Sequence, residues 1–200
     1  TRFPVQFVIR PQRADFPDYR GYAGRVAGGV LRVGDEVMVL PSGLTSTITG
    51  IDSPTGPLQE ATPGQAVTVL LADDLSITRG DMICRPNNRP RASQELEAML
   101  CWMDDTAPLQ PGKIYTIKHT TKVARTKITE VLYRLNISTL SRETGVNQLA
   151  MNEIGRVTLH TTAPLMFDDY HQNRTTGCFI IVDEATGQTA GAGMLLSPRT

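Results

Sequence analysis

The chain has 200 residues, 20 basic and 20 acidic side chains that cancel, 40% hydrophobic residues, 17 glycines and 13 prolines. This composition argues against a disordered or fibrous chain and for a soluble, turn-rich one. The balanced charge removes the global positive field that drives nonspecific binding to nucleic acid. The length permits one large or two small domains, each able to bury roughly 60–70% of the surface of its unfolded chain.

Three cysteines, Cys84, Cys101 and Cys178, are widely spaced, odd in number and without a C-x-x-C pair. A disulfide framework or zinc ribbon is therefore not expected, and each thiol reads as a small buried or half-buried hydrophobe in a reducing compartment. No apolar run approaches the ~18–20 residues of a membrane span, and TRFPVQFVIR at the start lacks the apolar centre of a signal peptide. The expectation is a cytoplasmic protein without a membrane partner. A start on Thr, directly in a strand-like alternation, suggests a piece excised from a longer polypeptide.

In chain order, Phe3, Val5, Phe7 and Ile9 alternate with Pro4, Gln6 and Val8, the period of a strand with one buried face. Gln12 to Tyr19 reads as a loop. The stretch Arg20 to Gly43 reads as two short strands joined by a glycine turn, with reversals at Gly34-Asp35 and Ser42-Gly43. Ser46 to Ile51 predicts a strand with Thr47, Thr49 and Ile51 opposite Ile48, and Val67, Val69 and Leu71 line one face of another. Arg79-Gly80-Asp81 reads as a turn with a local cap, because nothing secretory supports an adhesion ligand.

Arg85 to Arg91, basic and twice interrupted by proline, is the predicted linker, dividing the chain into residues 1–88 and 89–200. Beyond it, Leu96, Ala98, Leu100 and Trp102 alternate with Glu95, Glu97, Met99 and Cys101, and this segment reads as a strand despite its helix-forming residues. Tyr115, Ile117 and His119 alternate in the next strand. A threonine-rich basic crossing, a strand from Ile128 to Asn136 and a polar connection at Asn147 to Met151 follow. Val157, Leu159 and Thr161 share a face of a strand ended by Pro164, and Phe179 to Val182 is a short apolar strand. Many short strands with turn signals and little helical periodicity predict an all-β fold of two consecutive small barrels.

Several stretches resemble a known family. Gly24, Val26, Gly29, Gly34, Asp35, Val37 and Pro41, in the order G-x-V-x-x-G-x-x-x-x-G-D-x-V-x-x-x-P, resemble the second domain of translation-factor-like GTPases, as does ATPGQAVTVLL followed by I-x-R-G-D-x-I. RFPVQFVIRP, DYRGYAG, VLPSG and NRTTGCFIIVDEATGQTAGAGM, taken collinearly, resemble domains II and III of the large, GTP-binding subunit of bacterial sulfate adenylyltransferase across essentially the whole chain. The resemblance implies a non-catalytic region of a parent enzyme in sulfate assimilation. GTP and Mg²⁺ would be bound by an N-terminal GTPase domain, and ATP and sulfate would become adenosine 5'-phosphosulfate on a small catalytic subunit. In some relatives an adenylylsulfate kinase domain follows, and LLSPRT could begin its linker.

The nucleotide chemistry itself is missing from this sequence. No G-x-x-x-x-G-K-[ST] run occurs, and Gly187, Gly191 and Gly193 do not make G-x-G-x-x-G, so no nucleotide-binding, cofactor-binding or catalytic residue is expected here. Asp168, Asp169 and His171 have ligand chemistry for a metal, but a solvated loop is the favoured reading, and no metal site is expected. Lys113 to Arg134 holds six cations against Glu130 and fits a solvated face, a protein surface or, last, RNA phosphates. Nucleic-acid-binding barrels of a translation-type GTPase are therefore the alternative function. Tyr170, His171, Gln172, Asn173 and Arg174, large hydrogen-bonding residues clustered before an apolar strand, are the candidate partner interface, for the GTPase domain or the small subunit.

Overall fold

The computed structural model describes residues 1–11 and 19–197, with sixteen β-strands and no helix among them. The loop expected at Gln12 to Tyr19 and the end of the LLSPRT stretch lie mostly outside the described residues. The chain divides into two compact units, Thr1–Pro90 and Arg91–Thr200.

The first unit contains β1 (Arg2–Ile9), β2 (Gly21–Arg25), β3 (Leu31–Arg32), β4 (Glu36–Leu40), β5 (Leu44–Ser53), β6 (Gly56–Leu58), β7 (Glu60–Ala61), β8 (Ala66–Leu71) and β9 (Met82–Cys84). Ladders in the order β1-β2-β8-β5-β4-β9 return to β1 and close a six-stranded barrel, with β6 beside β5 and β3 paired to β7. Closure removes the open edges that would invite pairing with other chains. The interior is filled by Phe3, Val5, Tyr22, Val37, Ile48, Val69 and Ile83, all at most 1% exposed.

Bulges change what strict alternation predicts. β1 shifts register between Val5 and Phe7, so Phe7 is 64% exposed while Val8 packs on the core. β5 shifts between Ile48 and Gly50, which turns both Ile48 and Ile51 inward, although simple alternation puts them on opposite faces. The Arg20–Gly43 stretch is not one hairpin. β2 pairs with β1 and β8, whereas β4 pairs with β9 and β5, so the expected partners sit in different parts of the ring. The reversal at Ser42-Gly43 does join β4 to β5, with Gly43 at φ 77° and its N–H donating to Val39 O. Asp81 is buried and accepts from the Thr78 amide and hydroxyl at 2.8 and 3.2 Å, and Gly80 N–H donates to Val5 O. The Arg-Gly-Asp turn thereby serves the β1 bulge.

The second unit contains β10 (Arg91–Trp102), β11 (Ile114–His119), β12 (Lys122–Leu135), β13 (Arg142–Glu143), β14 (Ile154–Phe167), β15 (Cys178–Val182) and β16 (Thr189–Leu196). Its ring runs β10-β14-β12-β11-β15-β16 and closes on β10, with β13 beside β12. Leu100, Trp102, Tyr115, Ile117, Val157 and Leu159 fill it; Trp102 meets Tyr115 edge-on at 5.5 Å and donates its indole N–H to Ala107 O at 2.8 Å. An added Cβ at Gly193 would stand 2.2 Å from the Phe179 ring, and one at Gly191 would stand 3.3 Å from Trp102. These late glycines therefore make room for aromatic residues of the core.

Three sequence expectations fail here. The basic crossing is the first half of β12, joined to β11 by a tight turn that leaves His119 opposite Lys122. Pro164 does not end β14, because it sits where the ladder with β10 is interrupted between Leu165 and His160, so no ladder N–H is demanded of it. The connection at Asn147 to Met151 is not wholly polar: Leu149 is 0% exposed and bridges to Leu109.

Candidate functional site

The loop between β14 and β15, residues 168–177, carries the proposed interface. Its shape follows from short polar side chains that satisfy their own backbone. The Asp169 carbonyl accepts from Gln172 and Asn173 N–H, and the Asn173 carbonyl accepts from Gly177 N–H. Asn173 Oδ1 accepts from Thr175 and Thr176 N–H at 2.9 and 3.2 Å. An added Cβ at Gly177 would lie 2.4 Å from Tyr170 Cα, so the final turn requires glycine.

Two anchors tie the loop to the barrel. Tyr170 N–H donates to Leu195 O, Leu195 N–H donates to Gly177 O, and Ser197 N–H donates to Asp169 Oδ2 at 2.8 Å. The amides of Ser197 and His171 hold the Asp169 carboxyl below its ordinary pKa. The second anchor is His119, 1% exposed, whose Nε2 lies 2.7 Å from Thr176 O. Since a carbonyl only accepts, Nε2 carries the proton and donates. Burial pushes the pKa of this imidazole down, which keeps it neutral. Thr176, itself 0% exposed, donates its hydroxyl to Asp168 Oδ2 at 2.7 Å.

The five candidate residues therefore divide. Asn173 is spent on the turn. His171, Gln172 and Arg174 are exposed, and Tyr170 is half-buried with the Arg174 guanidinium 6.0 Å from its ring centre and the His171 ring edge-on at 6.3 Å. This is a rigid platform with an aromatic ring, a guanidinium, an amide and an imidazole at its surface, and it contains no paired nucleophile and base. Asp168, Asp169 and His171 do not converge as ligands, because the aspartates serve loop hydroxyls and amides; among the described residues no group of three or more His, Cys, Asp or Glu could hold a metal. Sequence reasoning missed His119, which read as an ordinary strand residue. Its alternation with Tyr115 and Ile117 was the available signal, since that period points an imidazole into the core.

Three of the six cations in the basic stretch are engaged in ion pairs. Lys113 Nζ pairs with Asp183 at 2.7 Å, Arg125 with Glu184 at 3.0 Å, and Arg134 with Glu143 and Glu153 at 2.7 and 2.6 Å. Lys113 holds the Asp183 carboxyl down at about 2, with help from the amides of Thr186 and Ala185. Cys84 is buried and Cys101 half-buried, and Cys178 is exposed, contrary to its expected burial, because it faces outward on β15. No helix long and apolar enough to cross a membrane occurs among the described residues.

Comparison with known proteins defines the class as the barrel domains of elongation-factor-type GTPases. Residues 22–84 match the model described as elongation factor Tu domain 2, and residues 95–196 match GTP-eEF1A C-terminal domain-like. A crystal structure of Sup35 complexed with GDP superposes with a TM-score of 0.87 at 16% identity, over 100% of this chain and 47% of that one, a likeness of fold. The chain belongs to the GTP-eEF1A C-terminal domain-like family, and it is similar to proteins named sulfate adenylyltransferase subunit 1, CysN/CysC and NodQ. It is 53% identical over 196 residues to the bifunctional enzyme CysN/CysC of Mycobacterium tuberculosis, covering 98% of this chain and 32% of the relative. It is 42% identical over 195 residues to sulfate adenylyltransferase subunit 1 of Bacteroides fragilis, covering 98% of this chain and 40% of the relative. To the bifunctional enzyme NodQ of Rhizobium tropici it is 42% identical over 197 residues, 98% and 30% of the two chains. The chain thus spans between about a third and two-fifths of such relatives.

Proposed function

We propose that this chain is the non-catalytic two-barrel region of the GTPase subunit of a sulfate adenylyltransferase. In this reading, GTP hydrolysis with Mg²⁺ in an N-terminal domain outside these 200 residues drives synthesis of adenosine 5'-phosphosulfate from ATP and sulfate on a small partner subunit. The observation that carries it is the collinear identity, over 98% of the chain, with proteins named sulfate adenylyltransferase subunit 1 and CysN/CysC. The latter's name, a bifunctional enzyme, supports a kinase domain within the same parent polypeptide.

Coupling of this kind needs contacts that differ in free energy between two states of the GTPase, since a ligand shifts an equilibrium only by its differential affinity. Closed barrels suit that task because they move as units. The loop at residues 168–177 is the proposed contact, with Tyr170 and Arg174 as its anchors, because aromatic rings and guanidinium groups dominate interface energetics. Its backbone is already satisfied internally, so binding would order little.

The test is calorimetric titration of the chain with the purified small subunit of sulfate adenylyltransferase from the same organism. Tyr170→Ala and Arg174→Ala should each weaken binding by about 5- to 30-fold, corresponding to about 1–2 kcal/mol. Unchanged affinity in both variants would remove the loop from the interface. RNA binding that weakens steeply with salt, without subunit binding, would transfer the assignment to the translation-type alternative.

A further inference from the structure

The end of the second barrel opposite the 168–177 loop carries an apolar tip that the barrel itself does not use. β14 begins there at Ile154 and runs 14 residues to Phe167, where the loop starts. Beside Ile154 stand Leu135, the last residue of β12, and Cys101, near the end of β10. The chain between β12 and β13, residues 136–141, is held by its own polar groups. Asn136 Oδ1 accepts from the Ser138 and Thr139 amides at 3.0 and 3.1 Å, Asn136 N–H donates to Ser141 O, and Leu140 N–H donates to Asn136 O. At the base, Asn136 Nδ2 donates to Glu143, and Arg134 pairs with Glu143 and Glu153. A tip fixed in this way presents Ile137, 67% exposed, and Leu140, 74% exposed.

Leu140 is unfavourable to the isolated barrel on two counts. Its φ of 57° is a left-handed backbone that glycine takes more readily than leucine, and its side chain gains little burial in return. The apolar surface continues past the tip. Ile137 and Asn152 line one cleft of about 250 Å3, Met151 precedes Asn152, and Asn152 N–H donates to Trp102 O, next to Met103. Met151 is 49% exposed and Met103 48%. Met103 N–H in turn donates to Ala190 O, which brings in the turn between β15 and β16.

The charges of this end are unequal when every ionised group is counted, paired or not. Its segments, residues 103–113, 134–154 and 183–188, hold six acids: Asp104, Asp105, Glu143, Glu153, Asp183 and Glu184. They hold three bases, Lys113, Arg134 and Arg142, and Arg125 reaches Glu184 from β12 as a fourth. Arg156 and Glu97, paired alongside, cancel. An excess of two negative charges remains around the apolar surface.

We propose that Ile137 and Leu140, with Met103 and Met151 behind them, form a docking knob, and that its occupant is a separate protein chain offering an apolar pocket rimmed by Lys and Arg. Contiguous exposed apolar surface marks interaction sites, and a tip whose backbone is already satisfied loses little freedom on binding. A second copy of this chain fits poorly, since two acidic ends would oppose each other, and nucleic acid is disfavoured by the same sign of charge. The inference rests on the reading that the chain works with a small partner subunit, and it adds a contact at the other end of the barrel from the loop.

The experiment titrates the 200-residue chain with the purified small subunit of sulfate adenylyltransferase from the same organism. Ile137→Asp and Leu140→Asp should each weaken binding at least tenfold, while Leu44→Asp, at a 49% exposed leucine of the first unit, leaves it unchanged. Asp105→Lys should weaken binding at least threefold and flatten its salt dependence. Leu140→Gly separates binding from folding: it suits the left-handed backbone, so the melting temperature should hold or rise while affinity falls at least fivefold. On the unaltered chain, dilute hydrogen peroxide should oxidise Met103 and Met151 at least tenfold more slowly once the subunit is bound. Wild-type affinity in the Ile137 and Leu140 variants, with both methionines unprotected, would overturn the knob while leaving the functional reading intact. No binding by the wild-type chain would overturn both.

Discussion

Replacing His119 with Ala should loosen the 168–177 loop and destabilise the second barrel together. The imidazole is 1% exposed and donates to the carbonyl of Thr176, which is 0% exposed. Removing the donor leaves a buried carbonyl unsatisfied, at a cost of about 1–3 kcal/mol. Loss of the ring adds a cavity, so about 3 kcal/mol in total is expected, against about 1 kcal/mol for His119→Gln, which keeps an N–H donor. For a unit of this size 3 kcal/mol lowers the melting temperature by roughly 12–24 °C. Trp102 is the only tryptophan of the chain and lies fully buried in the second barrel, so its fluorescence reports unfolding of that unit. Hydrogen exchange should also accelerate at the Tyr170, Thr176 and Gly177 amides. A loss below about 0.5 kcal/mol, within the range of ordinary surface substitutions, with exchange unchanged would refute the anchoring role.

The same histidine sets a pH dependence. Its pKa is depressed in the folded state relative to about 6.5 in an unfolded chain, so its contribution is complete above pH 6.5 and declines as pH falls toward the folded value. Denaturant titrations monitored by Trp102 should show this decline, and His119→Gln should remove it. Gly193→Ala should destabilise the second barrel by about 1–3 kcal/mol, because its Cβ would stand 2.2 Å from the Phe179 ring; a melting temperature equal to wild type would show that the ring has room to move. Asp183→Asn should lower the melting temperature at neutral pH by loosening the Lys113 pair. Since the folded Asp183 carboxyl is held down at about 2, that difference should shrink as pH falls from about 4 toward 2. In the native chain, alkylation followed by peptide mass spectrometry should find Cys178 modified before Cys101 and Cys84 left unmodified. A buried Cys84 reacting at an equal rate would contradict the packing of β9.

Strand periodicity and turn chemistry in this sequence determine the all-β class by themselves. Leu96, Ala98, Leu100 and Trp102 point inward as their spacing dictates, because side chains of an extended backbone must alternate. The collinear motifs identify the family, since local glycine and proline requirements persist wherever the same turns are built. Alternation fails at Phe7 and Ile51, where a bulge adds a residue and inverts which face is buried; nothing local announces that extra residue. Pairing of β2 with β8 and of β4 with β9 is likewise invisible in the sequence, because ring closure joins segments far apart in the chain.

The candidate loop was legible as a cluster of polar residues, but its division of labour was not. Asn173 and the two aspartates are consumed by backbone amides and a hydroxyl, while Tyr170 and Arg174 remain at the surface, and only the folded path of the chain decides which polar group finds an internal partner. The anchoring by His119 arises in the same way. It joins residues 57 positions apart, His119 and Thr176, and long-range register is a property of the closed barrel.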